Sequence, residues 1–365
     1  MSVPQGFLLS GIRFEVKGKN WGMGLICCQD YAQAVGVFTT NVNCSYSVKV
    51  SKEHIKNKIK AVVVNSGNAN CFTHSQGVED TKFVCRQLAE KLGCEERNIL
   101  ILSTGVIRKR LSYKEMVKRL PLVIKSLAKE EMRFANSILT TDTFEKVSCR
   151  RLIVEGGEVR ILGIAKGAGM VSPDLATMLA FVLTDARISK RWLKRIVAEV
   201  VEKSFNSICV DGCMSTNDSV LFLTSGLSAA IKEQEIDKFK CALEEVCKDL
   251  AKMIVKDGEG STKLVQIRVK GAKDEKEAKV AVRSVSSSSL FRSAIYGGNP
   301  NWGRIIAALG AVGIKLQEDK FRVRVSSLKK KEVDVVIELG RGKSEWQGWC
   351  CDLTPEYVKI NAEYS

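Results

Sequence analysis

The chain has 365 residues, 45% of them hydrophobic and 27% charged, with a formal net charge of +16. Those values specify a globular chain with a substantial core, as two lobes or one large layered domain, and exclude disordered and collagen-like classes. No apolar run is long enough to cross a membrane and Met1-Ser-Val-Pro-Gln-Gly-Phe7 is no signal peptide, so a cytoplasmic enzyme without membrane partners is expected.

In chain order, Ala61–Val64 predicts a short buried strand ending in the polar loop Asn65–Asn70. Asp80 to Leu92 has helical spacing with Gly93 as its stop, and Asn98–Leu102 predicts a strand running into Ser103-Thr104-Gly105. Tyr113 to Lys129 reads as an amphipathic helix, and Val159–Ala165 and Thr177–Leu183 as strands flanking a glycine loop. Ser189 caps a helix to about Phe205, followed by a strand over Ser219–Thr224, a helix from Ile236 to Val255 and a strand over Leu264–Val269. The serine run at 284–289 marks a turn or helix boundary, and Phe321–Val325 and Val333–Leu339 are the last strands. Strands and helices mixed without strict βαβ alternation favour a layered α+β fold over a doubly wound sheet.

Thirteen cysteines without C-x-x-C spacing, and only two histidines (His54 and His74), argue for reduced buried thiols and against a structural zinc site. The two histidines also make a Ser-His-Asp mechanism a poor fit. The basic residues are dispersed over helical faces with no aromatic-rich stripe, so a nucleic-acid partner is not expected. An anionic small substrate or a lysine-rich surface accounts for the charge.

Chemistry concentrates at Lys166-Gly-Ala-Gly-Met170, followed by Val-Ser-Pro-Asp-Leu and then Ala176-Thr177-Met178. A threonine hydroxyl is a poor nucleophile without an adjacent base. Cutting the chain between Ala176 and Thr177 would supply one, because a freed α-amine titrates near about 7.7–8.0. Ser103-Thr104-Gly105-Val106 offers a hydroxyl and a glycine amide suited to an oxyanion, with a simple strand-to-helix turn as the plain alternative. Thr140-Thr141-Asp142-Thr143 presents three hydroxyls and a carboxylate, or caps a helix. Lys166 suits a substrate carboxylate, or is solvated. The acidic loops 211–218 and 257–263 lack a calcium-loop pattern, and Gly167-Ala-Gly169 lacks the ending of a phosphate loop.

These segments together resemble the ornithine acetyltransferase family (glutamate N-acetyltransferase, arginine biosynthesis). The matching motifs are Phe38-Thr-Thr-Asn41, Val64–Asn70, Ser103–Ile107, Thr140–Phe144, Lys166–Met170, Ala176–Phe181, Val210-Asp-Gly212 with Ser215–Asp218, Gly258-Glu-Gly260 with Thr262-Lys263, Asn301–Arg304 and Ile360–Tyr364. They occur in order along almost the whole chain. Arg108 stands where glycine commonly follows Gly-Val-Ile, Cys213 replaces a usual aspartate, and Gly298-Asn299 replaces a charged pair.

The resemblance implies a layered α/β sandwich of N-terminal-nucleophile type, as in related self-processing aminopeptidases. It implies self-cleavage into an α chain of residues 1–176 and a β chain of residues 177–365, commonly in an α2β2 assembly. Thr177 is then the nucleophile, Thr104 and Gly105 the oxyanion hole, and Thr140, Lys166, Thr177, Glu259 and Asn361 the substrate-binding set, with Ser365 supplying a last hydroxyl. The implied reaction moves acetyl from N2-acetylornithine to L-glutamate through acetyl-threonine, without a bound cofactor or metal. Acetyl-CoA as a second donor stays open, since no CoA motif is present and the family includes bifunctional members without an obvious one. A self-processing aminopeptidase of related fold is the rival reading, and a basic binding protein without catalysis is the other.

Overall fold

The structure is a computed structural model that describes residues 3–16, 18–172 and 178–363. Its strands, in chain order, are β1 (Phe7–Val16), β2 (Lys19–Phe38), β3 (Ile59–Asn68), β4 (Ile99–Val106), β5 (Lys146–Val154), β6 (Gly157–Lys166) and β7 (Leu179–Thr184). They continue as β8 (Ile208–Cys209), β9 (Ser219–Thr224), β10 (Leu264–Ala272), β11 (Arg322–Val325), β12 (Glu332–Glu338) and β13 (Ser344–Cys351). The chain divides into two compact units, the first made of residues 1–167, 175–201 and 214–250, the second of 168–174, 202–213 and 251–365.

The first unit carries a mixed sheet of order β4-β3-β2-β9-β7-β6-β5, with β1 also paired to β2. The long β2 unites it. Its first half lies between β1 and β3, and its second half pairs antiparallel with β9 over Gln33–Phe38. Successive residues of β3 and β4 serve opposite faces, as the strand period of two requires. Val62, Val64, Leu100 and Leu102 enter one core with Phe134 and Phe181, while Ala61, Val63, Ile99 and Ile101 enter another. That second core is closed by helices, of which the first unit's early part contains α1 (Tyr46–His54), α2 (Gln76–Leu92), α3 (Tyr113–Lys125) and α4 (Met132–Ser137). Val84, Cys85 and Leu88 of α2 and Met116, Leu120 and Val123 of α3 pack there. Burial on both faces explains the continuous apolar run Ala61–Val64.

The second unit has a sheet of order β11-β12-β10-β13-β8. Val265, Ile267 and Val269 of β10 and Val333, Val335 and Ile337 of β12 are buried against helices Glu275–Ser287, Ser289–Tyr296 and Trp302–Ala311. The intervening Arg268, Lys270, Glu332 and Asp334 are exposed. Each β10–β12 pair is thus amphipathic, with one covered face.

The α+β expectation holds. The strand Ser219–Thr224 has its expected bounds, the α2 helix ends at Gly93 with φ 65°, and the serine run spans the boundary at Ser288 between two helices. Other expectations need correction. Ser103-Thr104-Gly105 is no loop but the end of β4, held by parallel pairing of Asn65, Ser66 and Gly67 with residues 103–105. Likewise β3 runs on through Asn68, and α3 stops at Lys125, short of Lys129. The expected strand start at Thr177 lies outside the described residues. Most of the thirteen thiols are buried. No helix among the described residues is long and apolar enough to cross a membrane.

Candidate active site

In the first unit, Thr104, Gly105, Thr140 and Lys166 come together at the ends of β4 and β6 and the turn after α4. Thr104 is buried, and the chain begins to surface at Gly105. Gly105 has φ 128°, and a Cβ there would lie 2.5 Å from the Gly67 carbonyl carbon, so only glycine fits against β3. Arg108, three residues on, has φ 65° and donates its N–H to Cys71 O at 3.0 Å. The left-handed conformation at a non-glycine residue accounts for the glycine common at this position in the resembling family.

The Lys166 side chain is only 2% exposed. Its Nζ donates to Thr140 Oγ1 at 2.7 Å and reaches Thr104 Oγ1 at 3.4 Å. The solvated alternative for Lys166 is therefore excluded. Asp142 is the keystone beneath it. One carboxylate oxygen takes a 2.8 Å bond from Lys146 Nζ and the other lies 3.5 Å from Lys166 Nζ. Asp142 also accepts from the N–H groups of Thr140 at 3.0 Å and Gly167 at 2.6 Å. Burial works to raise the Asp142 pKa, but the ammonium groups of Lys166 and Lys146 outweigh it and hold the carboxyl well below the ordinary range.

A lone buried ammonium would be prohibitively desolvated, and Asp142 offsets that cost for both lysines. The Lys166 ammonium faces the Thr140 and Thr104 hydroxyls, an arrangement suited to an anionic substrate group or to negative charge developing on oxygen. The turn at Thr140–Thr143 is thus not a helix cap. Lys146 carried no sequence signal, because a lysine opening an alternating strand reads as solvent-facing.

A second feature lies at the start of β7. Met178 N–H donates to Asp218 Oδ1 at 2.9 Å, and Ser219 N–H donates to Met178 O at 3.1 Å. Asp218 is fully buried, and its Oδ2 has no hydrogen-bond partner among the described residues. Burial pushes its carboxyl well above the ordinary range, opposed by the Met178 N–H, the polar groups of Ser215 and the Lys166 charge. Asn217 Nδ2 donates to Ser103 O and Ala69 O, both at 2.7 Å. The Ser215–Asp218 motif was visible in the sequence, but nothing there assigned it a task.

In the second unit, Asn361 Nδ2 donates to Glu259 Oε2 at 2.9 Å, so these two expected substrate contacts meet each other. Glu259 N–H donates to Ala168 O at 2.9 Å, and a Cβ at Gly169 would lie 2.4 Å from the Glu259 carboxyl carbon. Asp211 fastens the same glycine segment by accepting from Met170 and Val171 N–H groups. Gly169 thus serves close packing against the Glu259 carboxylate. Ala176, Thr177 and Ser365 lie outside the described residues. No cluster of metal-ligating side chains occurs among the described residues.

Comparison with known proteins covers the same ground. The ArgJ family matches residues 8–329 and 324–365. The glutamate N-acetyltransferase of Methanocaldococcus jannaschii is 40% identical, over 100% of this chain and 98% of that protein. The arginine biosynthesis bifunctional protein ArgJ of Caldanaerobacter subterraneus is 38% identical, over 100% of this chain and 98% of that protein. A crystal structure of the Bacillus halodurans arginine biosynthesis bifunctional protein is 34% identical with a TM-score of 0.48, covering 50% of this chain and 98% of that one. With the family match and full-length relatives agreeing, the chain belongs to the ArgJ family.

Proposed function

We propose that this acetyltransferase of arginine biosynthesis carries its acetyl group on Thr177, between N2-acetylornithine as donor and L-glutamate as acceptor. The observation that carries the reading is the buried Lys166, whose Nζ meets the hydroxyls of both Thr140 and Thr104. A binding module has no need of a cation held beside two hydroxyls at such desolvation cost. An acyl-transfer centre for α-carboxylate substrates does, because the cation pairs with that carboxylate while the Thr104 hydroxyl beside it serves the developing oxyanion.

The steps balance without a cofactor. The Ala176–Thr177 peptide is first hydrolysed, one water supplying the second oxygen of the Ala176 carboxylate and a proton for the Thr177 nitrogen, which leaves residues 1–176 and 177–365 as two chains and makes the freed α-amine of Thr177 the base. Thr177 Oγ then attacks the acetyl carbonyl of N2-acetylornithine as its proton passes to that amine. The oxyanion is stabilised by the Thr104 hydroxyl and the Gly105 N–H. Collapse breaks the amide bond, returns the proton to the leaving nitrogen and releases ornithine. Glutamate's α-amine attacks the ester by the reverse path, giving N-acetylglutamate and free Thr177. Lys166 and Thr140 hold the substrate α-carboxylate, and Glu259, Asn361 and Ser365 complete the binding set. The processed chains associate as α2β2 in the cytoplasm, and acetyl-CoA is tested as a second donor.

Initial rates with both substrates varied distinguish this scheme. A ping-pong path gives parallel double-reciprocal lines and release of ornithine in the absence of glutamate. Intersecting lines, with no ornithine released until glutamate is added, would contradict a stored acetyl group. Hydrolysis of peptide amides in preference to transfer would favour the aminopeptidase reading. Formation of N-acetylglutamate from acetyl-CoA would establish the second donor.

A further inference from the structure

Thr177 is covalently joined to Met178, and the Met178 N–H belongs to the peptide group that links them. Both polar groups of Met178 are fixed. Its N–H is held by Asp218 Oδ1 at 2.9 Å and its carbonyl by Ser219 N–H at 3.1 Å. One residue before Asp218, Asn217 is held to the other side of the chemistry. Its Nδ2 donates to the carbonyl of Ser103, the residue preceding Thr104, and to that of Ala69. The segment is itself anchored: Thr39 Oγ1 donates to Ser215 O at 2.8 Å, Thr39 N–H to Asp218 O at 2.9 Å and Ser45 N–H to Thr216 O at 2.9 Å. A buried carboxyl group with one oxygen unpartnered among the described residues is costly, and pure packing would favour an apolar residue in its place.

We propose that Ser215–Asp218 is the positioning element of the reaction centre, with Asp218 fixing the peptide that carries the nucleophile residue and Asn217 fixing the strand end that carries the oxyanion donors. This deepens the Thr177 reading and rests on it. One segment thereby ties the residue that follows the nucleophile to the strand end that carries the oxyanion donors, and acyl transfer depends steeply on how such groups are held. Asp218 works here as a hydrogen-bond acceptor, its Oδ1 taking the Met178 N–H. Asparagine retains that acceptor with the same shape. Neither residue touches substrate; both act through the backbone.

The test compares wild type, Asp218→Ala, Asp218→Asn and Asn217→Ala for extent of self-cleavage, kcat, KM for N2-acetylornithine and thermal midpoint. A displacement of the nucleophile on the order of 1 Å costs roughly 10²-fold. The proposal expects kcat and cleavage rate to fall by about that factor in Asp218→Ala and Asn217→Ala, with KM nearly unchanged. Asp218→Asn restores most of the loss. Full processing and wild-type kcat in Asp218→Ala would overturn it, as would an Asp218→Asn protein as impaired as Asp218→Ala. Should Asp218→Ala fail to fold, Asn217→Ala and Asp218→Asn decide by the same criteria. An uncut wild-type chain counts against the Thr177 reading itself, whereas a cut wild type beside an unaffected Asp218→Ala counts against the positioning role alone.

Discussion

The two sheets solve burial differently. In the second unit, β10 and β12 alternate between core residues such as Ile267 and Val335 and exposed ones such as Arg268 and Asp334. In the first unit, β3, β4 and β6 are largely covered on both faces, and the sheet's strand ends and adjoining turns retain ionisable groups with almost no solvent access: Lys166 ending β6, Lys146 opening β5 with Asp142 in the turn before it, and Asp218 just before β9. A one-sided sheet can place its charges in water. A two-sided sheet can keep them only by pairing, so a buried charge there marks a site where chemistry outweighs the desolvation cost.

The sharpest way to break that contrast is to uncouple the buried pairings. Asp142→Asn removes the carboxylate that Lys146 and Lys166 share, and breaking such a buried pair costs about 3–5 kcal/mol in denaturant unfolding. The same pairing predicts an acid limb. Because the folded-state pKa of Asp142 is depressed, its contribution is complete above the unfolded value of about 3.9 and is lost as pH falls below it through the folded value. The stability gap between wild type and Asp142→Asn should therefore narrow below about pH 4, and a gap that widens there would reject the assignment. Asp218 has the opposite sign. Its folded-state pKa is raised, so the native protein retains a proton the unfolded chain loses, and it costs stability as pH rises above about 3.9.

Lys166→Met removes the charge beside Thr104 and keeps the stem's bulk. It should lower kcat/KM for N2-acetylornithine by about 10–10²-fold, the loss of a charge-assisted hydrogen bond worth about 1.5–3 kcal/mol to the substrate α-carboxylate. Retention of wild-type kcat/KM would reduce Lys166 to a packing role. In the second unit, Ile337→Val should cost only about 0.5–1.5 kcal/mol. Arg268→Ala on the open face should stay within about 0.5 kcal/mol, and neither should alter kcat. One change of similar size is a gain: Arg108→Gly relieves the left-handed conformation and should raise stability by about 0.5–1 kcal/mol, read as a higher thermal midpoint.

The sequence was most legible where a residue's reason is local. The apolar strand Ser219–Thr224, the αL glycine at Gly93 and the alternation in β12 each follow from neighbours a few positions away. The longest strand, β2, was not foreseen, because Gly22, Gly24 and Gly36 dilute its β-propensity. Their purpose is tertiary: a Cβ on Gly22 would lie 1.9 Å from Ser137 O of α4. The site divides in the same way. Thr104, Thr140 and Lys166 stood out as motif residues, and the structure joins them. Lys146 was invisible because its partner Asp142 sits across a turn whose shape the sequence does not show. Asp218 lay within a noticed motif, but its bond to Met178 bridges strands 40 residues apart in the chain.

The most direct test of the central claim is the intact mass of freshly purified protein under denaturing conditions, before and after exposure to N2-acetylornithine. The account predicts two fragments, residues 1–176 and 177–365, with one acetyl increment on the second after exposure. A single uncut chain, or an acetyl group on a fragment that lacks Thr177, would contradict it.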